Sequence, residues 1–143
     1  MRIFTIGYEG ATMAEFLAAL TRAGVERVID VRALPNSRRP GFSKNMLAAS
    51  LAEAGIDYVH LKQLGTPKRG RDAAKRGDVA TLREVYEVQL ALPEAQAQAA
   101  AMRVLAAEKP SALLCYERDP CHCHRTLLLA AKGADATVID LFA

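Results

Sequence analysis

The chain has 143 residues, of which 51% are apolar, and this is enough sequence for one hydrophobic core, so a single domain is expected over residues 1–143. The net charge is +3, and no segment approaches the roughly 18 consecutive apolar residues of a transmembrane helix, so no membrane partner is expected. The three cysteines are odd in number and clustered, unlike a secreted disulfide framework, and the N-terminus lacks a signal-peptide pattern, so we expect a cytoplasmic location.

Short apolar runs alternate along the chain with segments of helical spacing. Strands are predicted at residues 2–6, 27–31, 57–61, 111–115 and 137–141. Helices are predicted at 13–23, 44–54, 79–92 and 94–108, with a last helix body at 126–131. The long polar stretch 62–78 is predicted as a loop with a short helical turn around 72–76.

Three helix starts have recognisable capping residues. Thr12 and Glu15 have the spacing of a capping box. Ser43 is expected to be the N-cap of the second helix. Asp119 and Pro120 are a good N-cap and first helical residue for the last helix.

The order β-α-β-α-β-(α-α)-β-α-β is typical of an α/β protein. It predicts a mostly parallel five-stranded sheet with helices on both faces, a Rossmann-like three-layer sandwich. Ligands of such sheets bind outside the carboxyl ends of the strands. The polar residues expected at that edge are Tyr8, Glu9, Arg32, His60, Cys115 and Glu117.

Positive charge is concentrated in one part of the chain. Residues 32–76 contain ten basic and three acidic side chains, a net charge of +7, whereas the remainder carries −4. This pattern favours an anionic partner, either a small phosphate-bearing or nucleotide-like ligand or a nucleic acid, although a solvated basic surface would look the same. For a small ligand, the last helix and the loop after the second strand would supply Arg125, Arg32, Arg38 and Lys44.

Residues 111–126 hold all three cysteines and two of the three histidines. Cys115 would be a nucleophile, with Glu117 or His124 as its base. Alternatively, Cys115 and Cys123 cross-link reversibly, or both are small buried apolar side chains.

Metal binding and acid–base chemistry are further alternatives in the same region. Cys121 and His124 lie one helical turn apart and His60 would come from another strand, which is a weak signal for zinc. Glu9 and Glu117 are candidate acid–base groups, unless both pair with arginines.

With these residues laid out, the chain resembles the bacterial family catalogued as domain of unknown function 488. The resemblance covers nearly the whole length and rests on T-I-G-Y at 5–8, D-V-R-x-x-P-x-S-R at 30–38, G-F at 41–42, A-G-I-x-Y at 54–58, L-G at 64–65, and C-x-E at 115–117 followed by C-H-R at 123–125. It implies a fold and a set of motif residues, Ser37 among them, but no reaction. Cys121 lies outside these motifs, which favours Cys115 and Cys123 as the important cysteines.

We therefore predict an enzyme that binds an anionic ligand at the carboxyl edge of the sheet. The catalytic candidates are Glu9, Cys115 and Glu117. The candidates for binding the anion or substrate are Tyr8, Arg32, Ser37, Arg38, His60, Cys123, His124 and Arg125. No metal ligand is assigned and the cofactor and oligomeric state are not identified. The alternatives are a nucleic-acid-binding module that uses residues 32–76 and a thiol redox or metal-binding protein.

Overall fold

The computed structural model describes residues 1–133 and 135–143, with the side chain of His122 left undescribed. Its strands are β1 (Arg2–Gly7), β2 (Arg27–Asp30), β3 (Asp57–His60), β4 (Ser111–Cys115) and β5 (Thr137–Phe142). The helices of the described residues are α1 (Met13–Ala23), α2 (Lys44–Glu53), α3 (Lys68–Lys75), α4 (Val79–Leu90), α5 (Pro93–Glu108) and α6 (His124–Lys132). The 3₁₀ turns Lys62–Leu64 and Pro120–His122 precede α3 and α6. The predicted order of strands and helices is confirmed except at residues 62–78. The loop predicted there, with a short turn around 72–76, contains a 3₁₀ turn and the eight-residue helix α3.

All five strands are parallel and lie in the order β3-β2-β4-β1-β5. β4 is thus inserted between β1 and β2, with Leu113 opposite Thr5 on one side and opposite Ile29 on the other. The predicted α/β fold, a five-stranded Rossmann-like sheet with helices on both faces, is confirmed.

Successive strand residues point to opposite faces of the sheet, and each face has its own apolar core. The core shared with α1 and α2 contains Phe4, Ile6, Val28, Leu114, Phe16, Leu20, Leu47 and Leu51. The core shared with α4, α5 and α6 contains Ile3, Ile29, Leu113, Tyr86, Leu90, Met102, Leu128 and Leu129. Both β2 and β4 are buried along their whole length, as expected of strands that are covered on both faces.

The N-terminus of α1 follows its sequence signal, whereas that of α2 does not. The Thr12 hydroxyl accepts from the amide of Glu15, and the Glu15 carboxylate accepts from the amide of Thr12, which completes the capping box. Ser43 is the N-cap residue of α2, but its side chain makes no capping bond. Its hydroxyl accepts from the amide of Ser37 (3.0 Å) and donates to the Ser37 carbonyl (3.2 Å), so it closes the preceding loop instead.

The predicted start of the last helix at Asp119 and Pro120 is wrong. The Asp119 carboxylate accepts from the amide of Cys121 (2.9 Å), two residues ahead, and this closes only the turn Pro120–His122. The chain is then extended at Cys123 (φ −126°, ψ 146°), where the sulfur is bonded to Cys115. Cys123 is therefore the N-cap of α6.

The connections that follow neighbouring strands lead to opposite faces. β1 and β2 are followed by α1 and α2 on one face, whereas β4, which lies between these strands, is followed by α6 on the other. Connections that diverge in this way leave a crevice at the carboxyl edge of a parallel sheet, where ligands bind. None of the helices in residues 1–133 and 135–143 has the length and apolar character to cross a membrane.

Candidate functional site

A cleft of about 970 Å³ lies at the carboxyl edge, where the connections after β2 and β4 diverge. It is bordered by the end of β1, the loop after β2, α3 with the residues before it, the end of β4 and the start of α6. We call it the switch-point cleft. Its lining consists of Tyr8, Arg32, Ala33, Leu34, Asn36, Ser37, Arg38, Arg39, Pro40, Thr66, Arg71, Lys75, Cys115, Tyr116, Glu117 and His124.

Cationic side chains dominate this lining. Arg38 and Lys75 are exposed at the cleft, and Arg71 lies one helical turn before Lys75 on α3. Arg71 and Arg39 each donate to a backbone carbonyl, Arg71 Nη1 to that of Thr66 over 2.8 Å and Arg39 Nε to that of Ala11. A concave surface with one sign of charge concentrates the electrostatic field and attracts anions.

Arg32 is a structural cation within the cleft wall. Its Nε and Nη2 donate to the two carboxylate oxygens of Asp30 over 2.9 and 2.8 Å. Its Nη1 donates to the Phe42 carbonyl (2.7 Å) and to the Tyr8 hydroxyl (3.3 Å). The carboxylate of Asp30 also accepts from the hydroxyl of Tyr58 (2.5 Å). Burial lowers the pKa of Arg32, but the bonds and charge of Asp30 outweigh it and raise the pKa above the ordinary value. Arg32 is therefore permanently charged.

Thr66 lies in the cleft wall and has a buried hydroxyl without a partner among the described residues. The residue is 2% exposed, yet Oγ1 makes no hydrogen bond to any residue that the structure describes. Two glycines permit this position: a Cβ on Gly65 would lie 2.4 Å from Cα of Ala33, and one on Gly70 would lie 2.2 Å from Cγ2 of Thr66. A buried hydroxyl without a partner costs about 1–3 kcal/mol, so it is expected where a ligand or water completes the bonding.

Glu117 supplies the carboxylate of the described lining. Burial raises its pKa, and the charges of Arg125 and Lys75 oppose that effect. Its loop lies against the end of β1, since a Cβ on Gly7 would come 1.7 Å from the Glu117 carbonyl oxygen. Glu9 holds the same loop, because its amide donates to the Tyr116 carbonyl (2.9 Å) and its carboxylate accepts from the Arg118 amide (3.1 Å).

Cys115 at the end of β4 and Cys123 at the start of α6 form a disulfide. Arg125 is fully buried beside it and donates from Nη1 to Sγ of Cys115 (3.1 Å) and to the Glu117 carbonyl (2.8 Å). Burial lowers the pKa of Arg125, and Nη2 donates to the Arg118 carbonyl (3.2 Å). The guanidinium thus holds the loop after β4 against α6.

His124 is buried between the disulfide and the end of β2. Its Nε2 lies 2.8 Å from the carbonyl oxygen of Val31, and because a carbonyl only accepts, Nε2 carries the proton. Nδ1 faces Sγ of Cys123 at 3.8 Å. Burial lowers the pKa of His124 to about 4, so the ring is neutral at neutral pH.

The predicted site residues fall into two groups. Those that line the cleft are Tyr8, Arg32, Ser37, Arg38, Cys115, Glu117 and His124. Glu9, His60, Cys123 and Arg125 do not line the cleft but contact residues that do, with His60 Nε2 donating to the Arg32 carbonyl over 2.8 Å. Lys44, also expected to bind the anion, is exposed and is not part of the lining. Their functional roles stay predictions.

The lining also contains Arg39, Thr66, Arg71, Lys75 and Tyr116, which were not predicted as site residues. Arg71 and Lys75 belong to the basic segment, and their four-residue spacing would have placed them on one side of a helix. Nothing in the sequence marks Thr66, because its position depends on close contacts of Gly65 and Gly70 with other parts of the chain.

The fold and the cleft define a three-layer α/β protein with a cationic cleft at the switch point of its sheet. A family model described as "Domain of unknown function DUF488" matches residues 12–131. The chain belongs to this family, as its motifs predict. No curated protein and no solved structure matches it significantly.

Proposed function

We propose that this protein is an enzyme that binds a phosphate-bearing, nucleotide-like small molecule in the switch-point cleft. The observation that carries the proposal is the convergence of Arg38, Arg39, Arg71 and Lys75 on a cleft with a single carboxylate in its described lining. Phosphate oxygens form short, charge-assisted hydrogen bonds with such groups.

The size and polarity of the cleft support a small ligand. Its volume of about 970 Å³ lies at the upper end of the range of roughly 300–1,000 Å³ for small-molecule sites. Thr66 borders the cleft, and its unpaired hydroxyl would form one more hydrogen bond where a ligand atom reaches it. Tyr116 is 48% exposed and offers an aromatic face, whereas the ring of Tyr8 is already stacked on Phe42 at 4.6 Å.

The distribution of charge favours a small anion over a nucleic acid. Half of the basic side chains in residues 32–76 line the cleft, and these are Arg32, Arg38, Arg39, Arg71 and Lys75. Non-specific binding of a nucleic-acid duplex depends on many phosphate contacts, so a basic surface that extends along the duplex is expected of a nucleic-acid-binding protein.

Glu117 is the group that we assign to proton transfer, because it borders the cleft and is half-buried. Glu9 is exposed and bonded to the Arg118 amide, so we assign it to positioning the Glu117 loop. Cys115 has its sulfur in the disulfide and would act as a nucleophile only after reduction.

Calorimetric titration with inorganic phosphate, nucleoside mono- and diphosphates and sugar phosphates tests the proposal. We expect binding by the native protein and at least about tenfold weaker binding by the double variant Arg71→Ala, Lys75→Ala, since a hydrogen bond to a charged group contributes about 1.5–3 kcal/mol. The matched control Lys62→Ala, Arg69→Ala removes two exposed charges from outside the lining and should bind normally.

Two outcomes would contradict the proposal. One is the absence of binding by every phosphate-bearing compound in the panel. The other is an equal loss of affinity in both double variants, together with salt-sensitive binding of oligonucleotides, which would point to the nucleic-acid alternative.

A further inference from the structure

A second feature of the site is a cluster of three metal-ligand atoms. Sγ of Cys115, Sγ of Cys123 and a ring nitrogen of His124 all lie within 4.8 Å of one another, and all three residues are buried. The cluster differs from the combination of Cys121, His124 and His60 that the sequence suggested. Cys121 is exposed and outside it, and the Nε2 of His60 is bonded to the Arg32 carbonyl.

The histidine has the orientation of a metal ligand. Its Nε2 donates a hydrogen bond to the carbonyl oxygen of Val31, with 2.8 Å between the two atoms. Nδ1 therefore has a free lone pair, and it faces Sγ of Cys123 at 3.8 Å. Metal-ligating histidines usually donate their other ring N–H to a carbonyl or carboxylate in this way. Tetrahedral zinc with bonds of about 2.3 Å to sulfur and about 2.0 Å to nitrogen holds a sulfur and a nitrogen ligand about 3.6 Å apart. This is close to the 3.8 Å between Nδ1 and Sγ of Cys123, whereas the two sulfurs, bonded to each other in the disulfide, would have to separate on reduction.

Both sulfurs also have hydrogen-bond donors that would support thiolates. Arg125 Nη1 lies 3.1 Å from Sγ of Cys115, and the amide of Arg125 lies 3.5 Å from Sγ of Cys123. Thiolate sulfur is the ligand that zinc and other soft cations select. Cys115 and His124 border the switch-point cleft, so one side of the cluster faces it.

We propose that the reduced protein binds one Zn²⁺ through Cys115, Cys123 and Nδ1 of His124, with a fourth coordination position open to the cleft. Three protein ligands and one open position are typical of catalytic rather than structural zinc sites. The inference does not depend on the identity of the anionic ligand.

The disulfide and the metal site exclude each other, because each requires both sulfurs. Two molecules of a low-molecular-weight thiol reduce the Cys115–Cys123 bond, which gives two protein thiols and one small-molecule disulfide. Zn²⁺ then displaces the two thiol protons as it binds. The disulfide of the structure is thus the oxidised, metal-free state of the same residues.

Cobalt titration of the Cys121→Ser variant tests the proposal, since this variant lacks the exposed cysteine but keeps the cluster. After reduction and removal of the reductant, we expect one Co²⁺ per chain, with the visible bands of tetrahedral cobalt and a sulfur-to-cobalt charge-transfer band. Zn²⁺ should displace it. The same protein kept in its disulfide form is the matched control and should bind none.

Replacement of Cys123 by Ser in the Cys121→Ser background should weaken Co²⁺ binding by at least about a hundredfold, because even outer-shell changes weaken metal affinity 10–100-fold. If that variant unfolds, the comparison of cobalt binding by reduced and by oxidised Cys121→Ser protein still tests the proposal. Absence of a charge-transfer band in the reduced protein, or equal cobalt binding in both redox states, would overturn the proposal.

Discussion

Asp30 and Arg32 form a two-point ion pair inside the wall of the cleft, with Nε 2.9 Å from one carboxylate oxygen and Nη2 2.8 Å from the other. Both side chains are almost completely buried. Since Asp30 ends β2, the pair fixes the start of the loop that carries Arg38 and Arg39 to the cleft.

Asp30→Asn should destabilise the protein strongly, because it leaves the Arg32 guanidinium buried without its counter-charge. Breaking one half of a buried pair costs about 3–5 kcal/mol. Urea denaturation measures the change, and Asp72→Asn is the control, since it breaks the exposed pair with Lys68. A similar small loss in both variants would show that the Asp30 pair is not structural.

Tyr58→Phe should change how stability depends on pH. Burial and the hydrogen bond to Asp30 raise the pKa of Tyr58 in the folded protein, so its contribution is complete below the unfolded pKa of about 10 and is lost as pH rises towards the folded pKa. The native protein should therefore be more stable than the variant at pH 7, by about 1 kcal/mol for one hydrogen bond. That advantage should shrink above about pH 10, by up to roughly 1.4 kcal/mol per pH unit. Denaturant unfolding from pH 7 to pH 11 measures the difference, and a gap that widens at high pH would be inconsistent with the raised pKa.

Thr66→Val should separate stability from function. The substitution keeps the side-chain shape and removes a buried hydroxyl that has no partner among the described residues, so stability should rise by about 1 kcal/mol. Affinity for the phosphate-bearing ligand should fall, because the ligand loses a hydrogen bond. Thermal unfolding and calorimetry measure the two effects. A variant that is less stable and binds normally would show that the hydroxyl serves the protein rather than a ligand.

Gly7→Ala should displace the loop that carries Glu117, since the added Cβ would lie 1.7 Å from the Glu117 carbonyl oxygen. We expect a loss of about 1–3 kcal/mol in unfolding free energy and loss of turnover once a substrate is known. The control is Gly10→Ala, where φ is 74° and nothing lies within 4 Å of the new Cβ. That change should cost about 1 kcal/mol of backbone strain and spare function. Equal effects on function would contradict the role assigned to the contact between Gly7 and the Glu117 loop.

The fold was predictable from local sequence signals, and parts of the site were not. The apolar runs, the Thr12 capping box and the order of elements indicate a parallel α/β sheet, which places Tyr8, Arg32 and Cys115 at one edge. Periodicity carries no information about strand order, so the insertion of β4 between β1 and β2 is a result of tertiary packing.

Side-chain partners across the chain were the least predictable part of the site. Arg125 resembled an anion-binding residue because of its place at a helix start, yet its Nη1 and Nη2 donate to Cys115 and to backbone carbonyls. Its buried Nε has no partner among the described residues. Ser43 had the composition of a capping residue, but Ser37 lies close enough to bind its hydroxyl. Such choices depend on distant neighbours and not on spacing.

The most direct test of the switch-point cleft as an anion site is a crystal structure of the protein with the tightest-binding phosphate compound from the titration panel. The account predicts a phosphate group between Arg71 and Lys75 on one side and Arg38 on the other, with a ligand atom within hydrogen-bonding distance of Thr66 Oγ1. An empty cleft, with the phosphate bound elsewhere on the surface, would contradict it.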